Sequence, residues 1–136
     1  MKYILILISI FFSLVTYSQT NRLTVTVTNF KNNQGKVMVG IFNGPDNFTK
    51  KPIFGKTSKI NAKTAKVVFD NIPDGEYAVS VYHDENDNNK LDTGMFGIPK
   101  ERYGFSNDAK GLMGPPQYED AKFQVTQDQS ISVKIN

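Results

Sequence analysis

The sequence predicts an all-β fold, a single antiparallel sandwich of about seven short strands. Apolar and polar residues alternate strictly in short runs, which is the pattern of half-buried strands. Clusters of Gly, Pro, Asn and Asp separate these runs at short intervals. No stretch of useful length has the periodicity of an amphipathic helix.

The first two strands are predicted at residues 23–27 and 37–42. In the first, Leu and Val alternate with Thr, and in the second both sets of alternating residues are largely apolar. The segment from Asn32 to Gly35 between them is typical of a turn, because Gly takes a positive φ without steric cost. The pattern therefore predicts a hairpin.

Further strands follow the same logic. Residues 56–61, 65–69 and 77–81 are predicted strands, and the last of these leads directly into an acidic segment. Near the C-terminus, residues 123–125 and 131–135 are expected to form a closing pair of strands around a polar turn.

A turn at Pro73–Gly75, followed by Tyr77, refines the predicted architecture. In Ig-like and transthyretin-like Greek-key sandwiches such a run opens a central strand, and its tyrosine packs at the corner between the sheets. The motif indicates architecture and carries no information on function.

The region near residues 84–120 is predicted to be a long ordered loop. It is rich in Gly and Pro, yet it also contains many large apolar residues, which a solvated tail would lack. Loops of this length in compact domains are usually functional. We therefore expect it to cover one end or face of the sandwich.

The N-terminus has the pattern of a secretory signal peptide. A short basic start precedes an apolar run from Ile4 to Val15, and small residues stand at Thr16 and Ser18. We expect residues 1–18 to be removed, leaving one domain at 19–136 that is periplasmic, on the cell surface or secreted. The run is short for a membrane span, and an uncleaved anchor is the alternative. The chain has no cysteine, so no disulfide can stabilise it.

The acidic segment predicts a calcium site. Oxygen-bearing side chains alternate at Asp84, Asn86 and Asn88, followed by Asp92, and Lys90 stands where the loop would offer a backbone carbonyl. Calcium prefers six to eight oxygen ligands, and a tight loop directs alternate side chains inward. The segment holds four carboxylates against one lysine, which favours a cation.

Two departures separate the segment from an EF-hand loop. Asn89 replaces the usual Gly, although Asn tolerates the left-handed conformation. Met95 stands where the bidentate Glu is required, so a further ligand must come from elsewhere. Candidates are water and four carboxylates: Glu85, Asp87, Glu101 and Asp108. The alternative is a solvated acidic turn between strands.

Two other functional hypotheses remain open. His83, the only histidine, could serve an enzyme or a transition-metal site with neighbouring carboxylates, although no catalytic motif surrounds it and further His or Cys ligands are missing. Six lysines and no acid lie between Lys50 and Lys66, which would suit an anionic polysaccharide or merely keep an edge soluble. This stretch lacks Arg, and an exported protein seldom meets nucleic acid, so we expect no nucleic-acid binding.

Aromatic residues in the long loop are candidates for a ligand-binding surface. Tyr103, Phe105 and Tyr118 are flanked by Gly and Pro, as in many grooves for small molecules or peptides. The alternative is that they anchor the loop to the sandwich.

Several motifs together resemble one exported bacterial family, catalogued as domain of unknown function 2141 (DUF2141). The motifs are Gly35–Val37, Ile72–Val79, His83–Asn86, Lys90–Asp92, Gly97–Glu101 and Tyr103–Asn107. The resemblance spans the whole chain after the leader. It implies a small exported β-sandwich and brings no activity and no residue roles.

These observations lead to one functional expectation, a non-catalytic binding or structural module of the cell envelope. Calcium would order the acidic loop, and the module would bind an envelope protein, a peptide or a glycan. We expect no organic cofactor and no membrane span in the mature chain.

Overall fold

The computed structural model describes residues 15–136, and most of the predicted leader therefore lies outside the described residues. Within this range the chain forms strands, two short 3₁₀ turns and one helical turn. The strands are β1 (Thr20–Thr28), β2 (Lys36–Phe42), β3 (Phe54–Ser58), β4 (Thr64–Pro73), β5 (Gly75–Asp84), β6 (Tyr103–Phe105), β7 (Phe123–Val125) and β8 (Gln129–Lys134). The 3₁₀ turns are Met95–Gly97 and Ser106–Asp108, and the helical turn α1 is Tyr118–Ala121.

The strands form a β-sandwich, which confirms the predicted fold class. One sheet has the order β4-β1-β8, and the other has the order β3-β2-β5-β6, with β7 also paired to β5. Among residues 15–136 the strand pairs are antiparallel except β1 with β8, which run parallel. The strand that the sequence did not predict, β6, lies inside the expected long loop.

The core lies between the two sheets and follows the period-two pattern of the strands. The alternating apolar residues of β1, β2, β4 and β5 point inward and are buried, together with residues of β8. Each such side chain gains about 1.5–3 kcal/mol on leaving water. This burial fixes the register, because a slip by one residue would turn the apolar set outward.

The predicted hairpin between the first two strands is wrong. β1 pairs with β4 and β8, whereas β2 pairs with β3 and β5, so the connection crosses from one sheet to the other. The physical reason is Phe30, which is buried in the core and draws the connecting chain across it. Gly35 nevertheless has the expected positive φ, at 67°.

The predicted closing pair is also wrong. β7 pairs with β5 in the larger sheet, while β8 pairs with β1 in the smaller one. Val125 and Val133 are both fully buried, so the two short strands fill opposite walls of the core. The intervening turn is held to β1 by the carboxylate of Asp128, which accepts the Arg22 N–H at 2.7 Å.

The corner at Tyr77 agrees with the sequence. β4 ends at Pro73 in one sheet, and β5 begins at Gly75 in the other. The Tyr77 hydroxyl donates a hydrogen bond to the Pro73 carbonyl at 2.8 Å, and its ring is buried. The side chain thus fixes the angle at which the chain changes sheet.

The segment after β5 is ordered against the outer face of the larger sheet. β6 extends that sheet, and a second apolar cluster forms around Phe42, Phe48, Phe105 and Tyr118. Phe48 contacts the other three rings in edge-to-face or tilted geometry at centroid distances of 5.5–5.8 Å. In the described part of the chain, no helix is long and apolar enough to cross a membrane.

Candidate metal centre

Asp84 is the first residue of the acidic loop, and its side chain binds the main chain later in the loop. It is the last residue of β5 and is fully buried. Its carboxylate accepts the backbone N–H groups of Asn88 at 3.2 Å and Asn89 at 2.9 Å. Because these bonds fold the chain back over the carboxylate, Asp84 holds the loop in a compact turn.

The two asparagines give the loop its alternating geometry. The Asn86 side-chain oxygen accepts the N–H of Asn88 at 3.3 Å, and the Asn88 oxygen accepts the N–H of Lys90 at 3.0 Å. Asx turns of this kind place successive side chains on the same side of the loop. Asp87 and Asn89 take the intervening left-handed positions, with φ of 54° and 63°. Asn89 therefore adopts the conformation expected of it.

The side chains of Asn86, Asn88 and Asp92 converge. The two amide nitrogens contact the two oxygens of the Asp92 carboxylate at 2.5 Å and 2.6 Å. The oxygen and nitrogen ends of an amide have nearly the same shape, and turning the amide exchanges them. In this arrangement the amide oxygens accept the N–H groups of Asn88 and Lys90, so a cation between the three side chains would require both amides to turn and give up those bonds. Turned inward, the oxygens would be hard donor atoms of the kind that calcium prefers.

Glu101 ties the two ends of the loop together, a role that the sequence did not reveal. One carboxylate oxygen accepts the Glu85 N–H at 3.1 Å, and the other accepts the Asp92 N–H at 3.0 Å. The side chain is only 8% exposed. Next to it, the Lys100 N–H donates to the Asp92 carbonyl at 2.8 Å. Glu101 thus acts through the backbone of the loop.

The ammonium group of Lys36 places a positive charge beside the loop. Its ammonium donates to the Asn89 side-chain oxygen at 2.5 Å and lies 3.9 Å from an oxygen of Asp84 and from an oxygen of Asp87. The surrounding carboxylates, which include Glu85, Asp92 and Glu101, outnumber the cations. The loop therefore keeps a local negative field that attracts cations.

The other proposed ligands point to other partners. Glu85 lies 3.7 Å from the Nδ1 atom of His83, and Asp87 is largely exposed beside Lys36. Asp108 accepts the N–H of Lys134 at 3.0 Å. Among residues 15–136 no group of three His, Asp or Glu side chains is arranged to hold a metal ion. A carboxylate with two amide oxygens would suit a hard cation, whereas transition metals prefer imidazole or thiolate ligands.

His83 is part of the core. It is fully buried, its Nε2 atom lies 2.6 Å from the Gln34 carbonyl, and its ring packs edge-on against Phe30 at 5.0 Å. Nε2 donates to that carbonyl, because a carbonyl oxygen can only accept, and Nδ1 has no hydrogen-bond partner. His83 therefore links β5 to the turn before β2.

The three aromatic residues of the predicted ligand surface have different environments. Phe105 and Tyr118 are buried in the second apolar cluster and anchor the long segment to the sheet. Tyr103 is only half-buried at the border of that cluster. Of the three, Tyr103 offers the accessible ring.

The lysines between 50 and 66 are spread over β3, β4 and their connections. One of them is tied down, because the Lys56 ammonium donates to the Val68 carbonyl at 2.6 Å and lies 5.5 Å from the Phe69 ring centre. This contact links the edge strand β3 to β4 across the open side of the sandwich.

The family described as "Uncharacterized protein conserved in bacteria (DUF2141)" matches residues 25–133. The chain belongs to this family. The match runs from β1 to β8 and includes the whole acidic loop, so the resemblance predicted from the sequence is confirmed. No curated protein and no solved structure matches the chain. Membership of the DUF2141 family supplies no activity.

Proposed function

We propose that this protein is an exported, non-catalytic binding module of the cell envelope in which calcium holds the loop from Asp84 to Asp92. The observation that carries the proposal is the convergence of Asn86 and Asn88 on the Asp92 carboxylate. The leader pattern at the N-terminus and the bacterial family support export. The burial of His83 favours a binding role over catalysis.

Calcium would replace the two amide-to-carboxylate contacts with cation-to-oxygen contacts. The donors would be the side chains of Asp84, Asn86, Asn88 and Asp92 with the Lys90 carbonyl, and water would complete the six to eight ligands. The cation would also neutralise carboxylates that now repel one another. Bound calcium would therefore fix the position of Asp92 and, through Asp92, the position of the residues that follow it in the chain.

The expected affinity is weak. The bidentate Glu of an EF-hand is missing, and Glu101 already accepts a backbone N–H on each oxygen. Extracellular calcium modules of this sort have dissociation constants of about 10⁻⁴–10⁻³ M. Such affinity suits an exported domain that meets millimolar calcium.

A specific observation favours a second candidate, in which the loop needs no metal. The Lys36 ammonium already contacts Asn89 and lies near Asp84, and it supplies part of the missing positive charge. In that case the loop is a self-contained turn that supports the binding module. The two candidates differ in one measurable property, the dependence of stability on calcium.

The experiment is a thermal melt of residues 19–136 in EDTA, in about 2 mM calcium and in about 2 mM magnesium. For dissociation constants of about 1 mM to 0.1 mM, linkage gives roughly 0.6–1.8 kcal/mol of stabilisation. That corresponds to a rise of a few degrees in Tm. Equal melts in all three solutions would favour the metal-free loop.

Two variants make the melt specific. Asp92→Asn removes the carboxylate on which the amides converge, and we expect it to abolish the calcium-dependent rise. Asp87→Asn is the matched control, because it removes the same charge from the same loop at an exposed position. If both variants lost the calcium-dependent rise in Tm to the same extent, calcium would be attracted only by the overall negative charge of the loop. That result would contradict a specific site. Asp84 is unsuitable, since its buried carboxylate also folds the loop.

A further inference from the structure

A cavity of about 800 Å³ lies on the outer face of the larger sheet. Its floor is a row of residues paired across four strands: Gly55 with Gly40, Gly40 with Ser80, and Ser80 with Phe105. Three of these four residues have little or no side chain. Pro52 and Phe42 occupy the space over Gly40, so the open part of the floor lies at Gly55 and Ser80. The volume falls within the usual range for small-molecule sites, about 300–1,000 Å³.

Loops build the walls of the cavity above this floor. One wall comes from Thr49 to Pro52, a second from Leu91 to Pro99, and a third from Gly114 and Pro115. Pro52 leans directly over the floor, since a Cβ atom added to Gly40 would lie 3.1 Å from the Pro52 ring. The long segment after β5 thus encloses a space instead of lying flat on the sheet.

Two of the loops that wall the cavity also carry exposed apolar side chains, none of which lines the cavity itself. They belong to the rim loops, residues 94–99 and 111–115: Met95, Phe96, Ile98, Leu112 and Met113. Phe96 is 94% exposed and Met113 is 102% exposed. Isolated exposed apolar residues are ordinary, whereas several of them on the loops around one cavity are typical of a binding surface.

Charge at the cavity selects the ligand. Within residues 15–136 the charged residues that line it are Lys50 and Lys56, and no carboxylate does so. The Lys56 ammonium is bound to the Val68 carbonyl, whereas Lys50 is exposed at the wall. A ligand that fits has an apolar body for the floor and an anionic group for Lys50.

We propose that the cavity binds a single-chain anionic amphiphile, with the alkyl chain over Gly55 and Ser80 and the headgroup at Lys50. The half-buried Tyr103 also lines the cavity. Burial of each CH₂ group strengthens binding about fourfold, so a chain of about ten carbons binds where a short acid does not.

The cavity is connected to the acidic loop. Leu91 and Thr93, which flank Asp92, belong to its wall. Calcium at Asp92 would hold this wall in place, and by linkage calcium and amphiphile would strengthen each other's binding. This coupling rests on the proposed calcium site, whereas the cavity itself does not.

Calorimetric titration of residues 19–136 with dodecanoate, below its micelle-forming concentration, tests the proposal. We expect one saturable site per chain, no binding of acetate, and weaker binding of dodecanol and of dodecyltrimethylammonium. Titrations in EDTA and in calcium separate the two proposals. Binding of equal strength in both solutions overturns the coupling, and absence of binding in both overturns the cavity, whatever the calcium melt shows.

Variants locate the site. Gly55→Leu fills the floor, and the side chain has room, because a Cβ atom there meets its nearest neighbours at 3.8 and 4.0 Å. We expect an affinity loss of about tenfold or more, equivalent to about 1.4 kcal/mol. Thr26→Leu adds the same side chain to the outer face of the smaller sheet and should change nothing. A Tm equal to that of wild type would show that both variants are folded.

The headgroup is tested separately. Lys50→Gln should weaken dodecanoate several-fold and leave dodecanol unaffected, while Lys66→Gln serves as the matched control. Full affinity in Gly55→Leu overturns the proposal. It is also overturned if dodecanoate fails to bind while anionic vesicles capture the protein through Phe96 and Met113, since the rim loops would then form a membrane-docking face.

Discussion

Replacing Glu101 by Gln should destabilise the acidic loop in the absence of any metal. The carboxylate accepts the N–H groups of Glu85 and Asp92 at 3.1 and 3.0 Å, and it is nearly buried. Gln keeps one acceptor oxygen and turns an NH₂ group towards the other N–H. The variant therefore weakens one charge-assisted bond and leaves one donor unpaired, which costs about 2–4 kcal/mol.

The assay combines a thermal melt in EDTA with hydrogen exchange at the amides of Glu85 and Asp92. We expect Tm to fall by roughly ten degrees, and both amides to exchange faster. Glu119→Gln is the matched control, because that carboxylate is exposed beside Lys122 and its loss should cost less than about 1 kcal/mol. Unchanged exchange at both amides in Glu101→Gln would refute the assigned role of this residue.

Three further predictions concern the scaffold. Gly35→Ala should cost more than about 2 kcal/mol by denaturant unfolding, because its Cβ atom would overlap the Asp84 carbonyl oxygen. Gly97→Ala has a similar φ of 71° and open space around its Cβ atom, so it should cost about 1 kcal/mol. Ser106→Ala should cost about 1–3 kcal/mol in the same assay, because the buried hydroxyl binds main-chain groups of β5 and α1. Burial, and secondly a nearby Glu76, raises the pKa of Tyr118 to about 12, so stability should fall between about pH 10 and 12, and less so in Tyr118→Phe.

The sign of the alkaline effect follows from the fold. A raised tyrosine pKa means that the folded chain holds the proton more tightly than the unfolded chain, so the stabilisation is complete below about pH 10 and is lost above it. If stability fell equally steeply with pH in wild type and in Tyr118→Phe, this assignment would be contradicted. Equal losses in Gly35→Ala and Gly97→Ala would contradict the crowding argument, and an unaffected Ser106→Ala would contradict the assigned bonds.

The strands could be predicted from the sequence because their signal is local. Alternation in residues 23–27, 37–42 and 65–69 depends only on which side chains face the core, and each of these predictions is confirmed. The pairing of strands is different, because it depends on contacts far apart in the chain. Nothing near Asn32 indicates that Phe30 will be drawn into the core, and the predicted hairpin was wrong for that reason.

The same division applies to the candidate site. The alternation of Asp84, Asn86 and Asn88 is a local pattern, and the structure places these residues in one loop with the turn geometry that the pattern requires. The roles of Lys36 and Glu101 come from other parts of the chain, so spacing could not reveal them. The row of small residues under the cavity likewise becomes visible only after β2, β3, β5 and β6 are paired.

The most direct test of the calcium loop is a titration of the ¹⁵N-labelled protein with calcium, followed by amide NMR. We predict saturable shifts that are largest at residues 84–93 and Glu101, with a dissociation constant of about 10⁻⁴–10⁻³ M, and none of these shifts in Asp92→Asn. Shifts of the same size with magnesium, or no saturable shift in millimolar calcium, would contradict this prediction and leave a turn held by Lys36 and Glu101 alone.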